Sequence, residues 1–491
     1  MRVAVAYPPI DSPKGVPLLS QNRQFQYFNN PTFIYPVLPA TAATVVANAG
    51  HEVAWMDGIA SQQSYAEFVE EVDRFAPDLM AIETKTPTVK AYWRIINDLK
   101  VRFPDMRIAL MGDHVTALPE ESMTSSNVDF VMTGGDFDVS LLGLVEHLSG
   151  GQPPAGLYYR DGDDIRNSGK FESLIRLASV PFIDRSLTKW ELYAYKNGNF
   201  KYTPGTYTMF GRDCWWRRGG GCTFCSWTTT FPKFGVTTAE RALDEVGQLI
   251  ELGVREIFDD TGTFPRGAWL EKFCKGMIER GYNKNVTMGC NMRSDALTEA
   301  QYELMGEANF RFILYGLESA TQSTLDRLNK GTEWDDIKQA TRWAKNAGLE
   351  PHVTCMVGYP WESYEEAKRT VDLTKELFEA GSIDTLQATI VMPYPGTALF
   401  REAEENGWLR TNDWDRYDMR EPILVSPIPD EKLLALTRSL YTSFINPKFV
   451  MRKLASIRTK DDFSYIVSRG GRYVAGHLKD FARSRGNKSN G

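Results

Sequence analysis

Three of the six cysteines crowd into GRDCWWRRGGGCTFCSW, where Cys214, Cys222 and Cys225 follow the spacing C-x7-C-x2-C directly after the strand-like run YTMF. Three thiolates so spaced can hold three irons of a 4Fe-4S cubane and leave the fourth iron open for a ligand. Zinc is the alternative for a C-x2-C pair, but it needs further donors. None of the five histidines (His51, His114, His147, His352 and His477) lies near this loop in sequence. Inert thiols are the third reading. Six cysteines in 491 residues, three of them in one loop, do not make a disulfide framework and read as metal ligands in a reducing compartment. Cys274, Cys290 and Cys355 stand singly among apolar residues and read as small buried hydrophobes.

Two alternating series of strands and helices must position these residues. The first runs through RVAVAYP, a helix over 39–49, HEVAWMD, a helix over 64–75, LMAIET, a helix over 92–102, RIALMGD and DFVMTGG. Short strands rich in Val, Ile and Met between helical patterns predict a doubly wound parallel sheet, whose ligands bind beyond the strand carboxyl ends. Those ends carry Asp57, Glu83 to Pro87 with Thr86, Gly112-Asp113-His114 and Gly134-Gly135; Pro36 stands at the entry to the first helix. Near Gly150 the alternation stops, and GGQPPAG with YYRDGDDIRNSGK reads as a turn and a polar hairpin. The second series starts at YTMFGRDC and supplies six strands, each followed by a helix, as in a full or partial (β/α) barrel. The expected organisation is an α/β doubly wound domain over 1–150, a linker or strap over 151–203, a (β/α) barrel over 204–400 and a helical region with a basic tail over 401–491.

Along the second series the strand ends carry, in order, Phe258-Asp259-Asp260-Thr261, Cys290-Asn291-Met292-Arg293, Gly316-Leu317-Glu318-Ser319, Gly358-Tyr359-Pro360-Trp361-Glu362-Ser363 and Met392-Pro393-Tyr394-Pro395-Gly396-Thr397. With the cysteine loop, this row resembles the radical SAM enzymes, in which a 4Fe-4S cluster on three cysteines binds and cleaves S-adenosylmethionine. The family's usual spacing is C-x3-C-x2-C, so this loop carries four more residues, within Trp215 to Gly221. The resemblance implies that Asp259 and Asp260 lie near S-adenosylmethionine and that Glu318 reaches its amino or ribose region, with Arg293 and Phe224 beside them. Arg and Glu at strand ends suit that molecule's carboxylate, ammonium and ribose diol in a dry site. Taken singly, Glu318 or Asp260 reads also as a helix N-cap or dipole partner, and Arg293 as the partner of a structural acid.

A doubly wound domain ahead of such a barrel resembles the cobalamin-binding branch of that family. Tyr35-Pro36-Val37-Leu38-Pro39, Gly50-His51-Glu52-Val53 leading to Asp57, and Gly112-Asp113-His114-Val115-Thr116 carry this likeness. Thr86-Pro87, PYPGT with the following ENGWL, and the basic C-terminal extension look like the group acting in hopanoid lipid biosynthesis. The implied cofactors are a 4Fe-4S cluster, S-adenosylmethionine and cobalamin. The D-x-H-x-x-G signature that supplies a histidine to cobalt is absent, and His114 is the better candidate for contacting the corrin. A nucleotide is the competing ligand, but no G-x-G-x-x-G follows the first strand and no P-loop exists.

The formal net charge is -7, yet from Lys448 to Gly491 eleven Lys or Arg stand against three Asp, leaving the rest of the chain at about -15. Phe444, Phe449, Val450, Leu454 and Ile457 read as an apolar stripe that either packs on the barrel or lies on an anionic membrane. No nucleic-acid module accompanies this charge, and no nucleic-acid partner is expected. No secretory signal begins the chain and no apolar run nears the roughly 18 residues of a membrane span, so a cytoplasmic location is expected. The resemblance implies methylation of an unactivated carbon of a lipid or natural product through methylcobalamin and a 5'-deoxyadenosyl radical, with an external flavodoxin- or ferredoxin-type electron donor. The alternatives are a ring-forming or ring-contracting enzyme built from the same parts, and a cobalamin-responsive regulatory protein.

Overall fold

The computed structural model describes residues 1–19, 27–29, 31–172, 177–197, 199–442, 447–455 and 457–467. The first sheet contains β1 (Arg2–Tyr7), β2 (Glu52–Asp57), β3 (Leu79–Glu83), β4 (Arg107–Met111), β5 (Phe130–Met132), β6 (Leu157–Asp161) and β7 (Asp164–Asn167), in the order β2-β1-β3-β4-β5-β6-β7. Strands β1 to β5 are parallel. Val3 pairs with Val53 on one side and Leu79 on the other, and Val3 to Tyr7 are all buried, which is why β1 reads as an unbroken apolar run. The chain steps from β2 across β1 to β3, so the switch point, where such sheets bind their ligands, lies between β1 and β3.

The hairpin foreseen after Gly150 forms, but it belongs to this sheet: β6 runs antiparallel to β5, so the sheet continues past residue 150 to Asn167. Its outer residues Arg160 and Asp161 are exposed, and that polarity hides its membership of the sheet. The segment Asp184 to Tyr195 straps the first layer to the second. The Asp184 N–H donates to Thr44 Oγ1 (3.0 Å) on helix α1 (Val37–Asn48), and Arg185 reaches Thr206 Oγ1 (2.7 Å) and Tyr207 O (2.9 Å).

The second sheet contains β8 (Gly205–Thr208), β9 (Glu256–Asp259), β10 (Thr287–Met292), β11 (Phe310–Glu318), β12 (Glu350–Val357) and β13 (Thr385–Ile390). All neighbours are parallel and the order is linear, so the barrel is open. Helices follow the strands: α2 (Ala239–Glu251) precedes β9, and α3 (Tyr364–Glu379) starts on a capping box in which the Ser363 side chain accepts from Glu366 N–H and Glu366 accepts from Ser363 N–H. At the amino ends of the strands Arg311 bridges Glu256 and Glu350, and Lys201 pairs with Asp462 (2.5 Å) in the tail. Helix α4 (Pro447–Ala455) packs at this same end, its Arg452 donating to Phe378 O (2.7 Å) and Glu379 O (2.8 Å). The apolar stripe expected on this tail is corrected in part. Phe449 points inward onto Phe378 (ring centroids 4.6 Å), whereas Leu454 is exposed; Phe444 lies outside the described residues.

The carboxyl edges of the two sheets meet. Arg212, just ahead of the cysteine loop, faces Asp138 (3.3 Å) and Asp136 (3.7 Å) beyond β5. A Cβ on Gly135 would come 2.5 Å from the Phe231 ring, so only glycine permits this approach. The seam is also strapped by residues 411–421: Trp414 Nε1 donates to Glu121 (2.8 Å), Lys90 pairs with Asp413 (2.7 Å), and Lys14 with Asp418 (2.6 Å).

Candidate active site

Strand β8 reaches Cys214 through the short strand Gly211–Arg212. Asp259, at the end of β9, holds this passage. Its carboxylate accepts from Thr208 Oγ1 (3.2 Å) and from the N–H groups of Phe210 (2.8 Å) and Thr261 (3.2 Å), while burial pushes the carboxyl up to about 7. Both of its oxygens thus face the backbone, so Asp259 positions the loop. Its neighbour Asp260 is buried beside Asn291 (3.2 Å).

The lengthened part of the cysteine loop contains a five-residue 3-10 turn, Trp215–Gly219, folded against the segment after β11. Trp216 Nε1 donates to Asn329 O (2.7 Å), Asn329 Nδ2 donates to Gly219 O and Gly221 O (2.8 Å each), and Arg217 Nε donates to Asp213 (2.5 Å). Arg293 stacks on the Trp216 ring at 4.4 Å, pairs with Asp295 (3.0 Å) and donates to Gly331 O (3.2 Å). The guanidinium expected to greet a carboxylate therefore clamps the loop. Trp216→Ala should cost about 2 kcal/mol, less than a fully buried ring because the indole is half-exposed. Hydrogen exchange over 215–221 should quicken, and unchanged protection would contradict the clamp.

Cys222 and Cys225 share one turn, the Cys225 N–H donating to Cys222 O (3.2 Å). This turn hangs between segments that follow β11 and β13: Thr223 N–H donates to Leu328 O, and Leu399 N–H to Thr223 O, both at 2.9 Å. Half-buried Phe224 packs on a small apolar cluster with Leu328, Tyr359 and Leu399. Cys214 Sγ lies 3.0 Å from Thr263 Oγ1. Burial pushes the Cys222 thiol up to about 12; Lys330 and Arg293 pull against this, while Cys225 and Glu318 add to it. Such a thiol stays protonated until a metal takes the proton's place. Among the described residues no three His, Cys, Asp or Glu side chains converge on one ion. Zinc needs four donors around one point, whereas a cubane takes each thiolate at a different iron. The donor set fits the cubane.

Glu318 ends β11 at φ +62, where the register shifts, and its carboxylate meets Lys330 at 2.9 Å. A Cβ on Gly316 would lie 2.0 Å from Glu318 Oε1, so glycine is what lets the carboxylate fold back over its own strand. Lys330 is a site residue that sequence reasoning missed. Its only signal is a cation in the loop after Glu318.

Across the seam, Tyr7, Ile34, Asp57, Ile59 and Tyr193 line a cavity at the carboxyl ends of β1 and β2. Asp57 accepts from Tyr193 OH (2.5 Å) and Ala60 N–H (2.7 Å), and burial pushes it up to about 6. Pro36 is buried at the N-cap of α1, two residues beyond Ile34. Thr86 and His114 form a separate node: His114 Nδ1 lies 3.2 Å from Thr86 Oγ1 and Nε2 3.1 Å from Glu121. Both ring nitrogens are engaged, so His114 is held by its own fold. Gly112 turns the chain out of β4 at φ +132, and Gly134 abuts Phe171. The sequence put Glu83, Lys85 and Asp113 at strand ends but gave no sign that, with Tyr7, they form one row over the switch point, buried except for the half-buried Asp113. Tyr7 OH donates to Glu83, and Lys85 Nζ lies 3.8 Å from Glu83 and 3.5 Å from Asp113. Burial works against the Lys85 ammonium, but Asp113, Glu83 and, least of these, Asp260 of the other sheet raise its pKa.

Residues 209–374 match the radical SAM superfamily. A Pyrococcus horikoshii protein described as an uncharacterized methyltransferase is 25% identical over 413 residues, covering 82% of this chain and 86% of its own. The anaerobic magnesium-protoporphyrin IX monomethyl ester cyclase of Cereibacter sphaeroides is 24% identical, covering 88% of this chain and 68% of its own. Among solved structures, the radical S-adenosylmethionine methyltransferase TsrM from Kitasatospora setae, with cobalamin and [4Fe-4S] cluster bound, superposes with a TM-score of 0.68 at 15% identity, covering 91% of this chain and 89% of its own. The cobalamin-dependent radical enzyme OxsB, with aqua-cobalamin and S-adenosylmethionine, gives 0.68 at 13% identity over 97% of this chain and 72% of its own. The cysteine loop, the strand-end row and this match agree: residues 209–374 form a radical SAM domain.

Proposed function

We propose that this enzyme is cobalamin-dependent and transfers a methyl group to an unactivated carbon of a lipid or natural product. The observation that carries this reading is the meeting of the two carboxyl edges, with the cysteine loop on one side and, on the other, the first sheet's switch point and the small cavity beside it. Cys214, Cys222 and Cys225 would hold a 4Fe-4S cluster. Phe224, Asp260 and Glu318 would face S-adenosylmethionine, while Asp259 and Arg293 act by positioning. Cobalamin would lie over the carboxyl edge of the first sheet, with Asp57 on the small cavity there, Pro36 two residues beyond Ile34, and Thr86, Gly112, His114, Gly134 and Gly135 shaping the loops after β3, β4 and β5. When bound, the cluster supplies the electron that cleaves S-adenosylmethionine, and cobalamin carries the methyl group. The chain's own part is to hold both cofactors across one seam and to exclude water from it.

An external donor of flavodoxin or ferredoxin type and a cytoplasmic location complete the proposal. Among the described residues no helix is long and apolar enough to cross a membrane. The cyclase relative supports a second reading, ring formation without methyl transfer.

Methyl-labelled S-adenosylmethionine separates the two. The labelled compound would be supplied with a chemical reductant, cobalamin and an organic extract of the source cells as substrate pool. Methyl transfer should give labelled product, S-adenosylhomocysteine and 5'-deoxyadenosine in comparable amounts. Product that carries no label, with methionine and no S-adenosylhomocysteine, rejects methyl transfer in favour of rearrangement.

A further inference from the structure

The inner faces of the two tail helices are fully used. On α4, Phe449 packs on Phe378, Arg452 holds two backbone carbonyls and Lys453 reaches Asp384 at 2.9 Å. On the helix over 460–467, Asp462 holds Lys201 (2.5 Å) and Asp461 holds Arg255 (2.8 Å). Each outer face carries a pair of large apolar side chains. Met451 is 70% exposed, Leu454 57%, Phe463 57% and Val467 55%. The spacing i, i+3 on the first helix and i, i+4 on the second puts each pair on one helical face. Among the described residues nine large hydrophobics are exposed, and these four fall within 17 consecutive positions. Chance scatter does not concentrate them so.

Basic residues accompany the pairs. Arg458 and Lys460, both exposed, lie between them in sequence, and residues 468–491 add six Lys or Arg against one Asp. The remainder of the chain is acidic. We propose that this tail is a membrane-docking face, its four apolar side chains entering the headgroup boundary of an anionic bilayer while the surrounding Lys and Arg meet lipid phosphates. Apolar side chains of this size flanked by cations are what interfacial binding uses. The acidic body, repelled by the same surface, would stand off it. Because the tail packs at the amino ends of the barrel strands, the cysteine loop at the opposite ends would face the aqueous side. The electron donor would then reach the seam from water. This orientation does not depend on which reaction the enzyme performs.

Full-length protein sedimented with vesicles tests the proposal. Vesicles of phosphatidylcholine with phosphatidylglycerol should bind at least about tenfold more protein than phosphatidylcholine alone, and high salt should remove most of that binding. The variant M451S/L454S/F463S/V467S should lose most of the binding while its circular dichroism and melting temperature stay unchanged, since all four side chains are exposed. Arg458→Glu with Lys460→Glu should weaken binding through charge alone. Equal binding to both vesicle types, or a serine variant that binds like wild type, overturns the proposal. So does concentration-dependent self-association without vesicles that the serine variant abolishes, because the face would then be an interface between copies of this chain.

Discussion

Replacing Cys214, Cys222 and Cys225 together by alanine is expected to abolish bound iron and S-adenosylmethionine cleavage in one step, with the two sheets intact. Each thiol sits at the carboxyl edge of the second sheet, and among the described residues no other group of metal donors stands ready to replace them. A cubane cannot be held on fewer thiolates than it has anchored irons. The fold should survive, because Cys214 and Cys222 are only half-buried and the turn around Cys225 is fixed by backbone hydrogen bonds. Iron counted per chain after anaerobic reconstitution, visible absorbance and 5'-deoxyadenosine release should fall together while circular dichroism does not change. Iron retained at the wild-type level would falsify the ligand assignment.

Arg311→Ala should have the largest effect on stability, about 3–5 kcal/mol, because it strands a buried carboxylate. Arg311 contacts Glu256 and Glu350 and also donates to Asn199 O (2.7 Å); Glu256 is 2% exposed. The pH dependence should change as well. Burial alone would raise the Glu350 carboxyl, but Arg311, Lys201 and Lys453 outweigh it and hold the group at about 2, below its ordinary 4.5. A carboxyl depressed in the folded state stabilises above its unfolded value and loses that contribution as pH falls through the folded one. Wild type should therefore lose stability from this site between about pH 4.5 and about pH 2, and the variant should show a flatter profile there. Urea midpoints across that window measure both effects. A variant that unfolds at the wild-type midpoint would remove this network from the account.

The two parallel α/β series were legible, because buried parallel strands are continuous apolar runs with helices alternating between them; the strand order of the first sheet and the opening of the barrel were not, because pairing is settled only by the folded chain. The β6–β7 hairpin did not look like part of the first sheet, since its outer half is exposed and polar. Site residues divide along a similar line. The cysteines announce themselves by spacing, but in Asp259-Asp260 nothing in the sequence says which carboxylate turns to the backbone. Here Asp259 does, because the Phe210 and Thr261 N–H groups meet it at the strand end. Arg293 was open to a structural acid, and Asp295, only two residues on, is that acid. Glu83, which binds Tyr7 from 76 residues away, and Lys85, close to Asp113 28 residues further on, gave no local signal because their partners are assembled only by the folded sheet.

Arg212 also bears on how freely the two halves can be exchanged. Asp136 and Asp138 belong to the first half and are 1% and 0% exposed, yet the cation they face is contributed by the second. A chain cut near residue 150 would leave both carboxylates without that counter-charge and would leave β5 without its antiparallel neighbour β6. The first half is thus not a cassette that recombination can move alone. A chimera between relatives must carry Asp136, Asp138 and Arg212 as one inherited unit, even though 74 residues separate Asp138 from Arg212 along the chain.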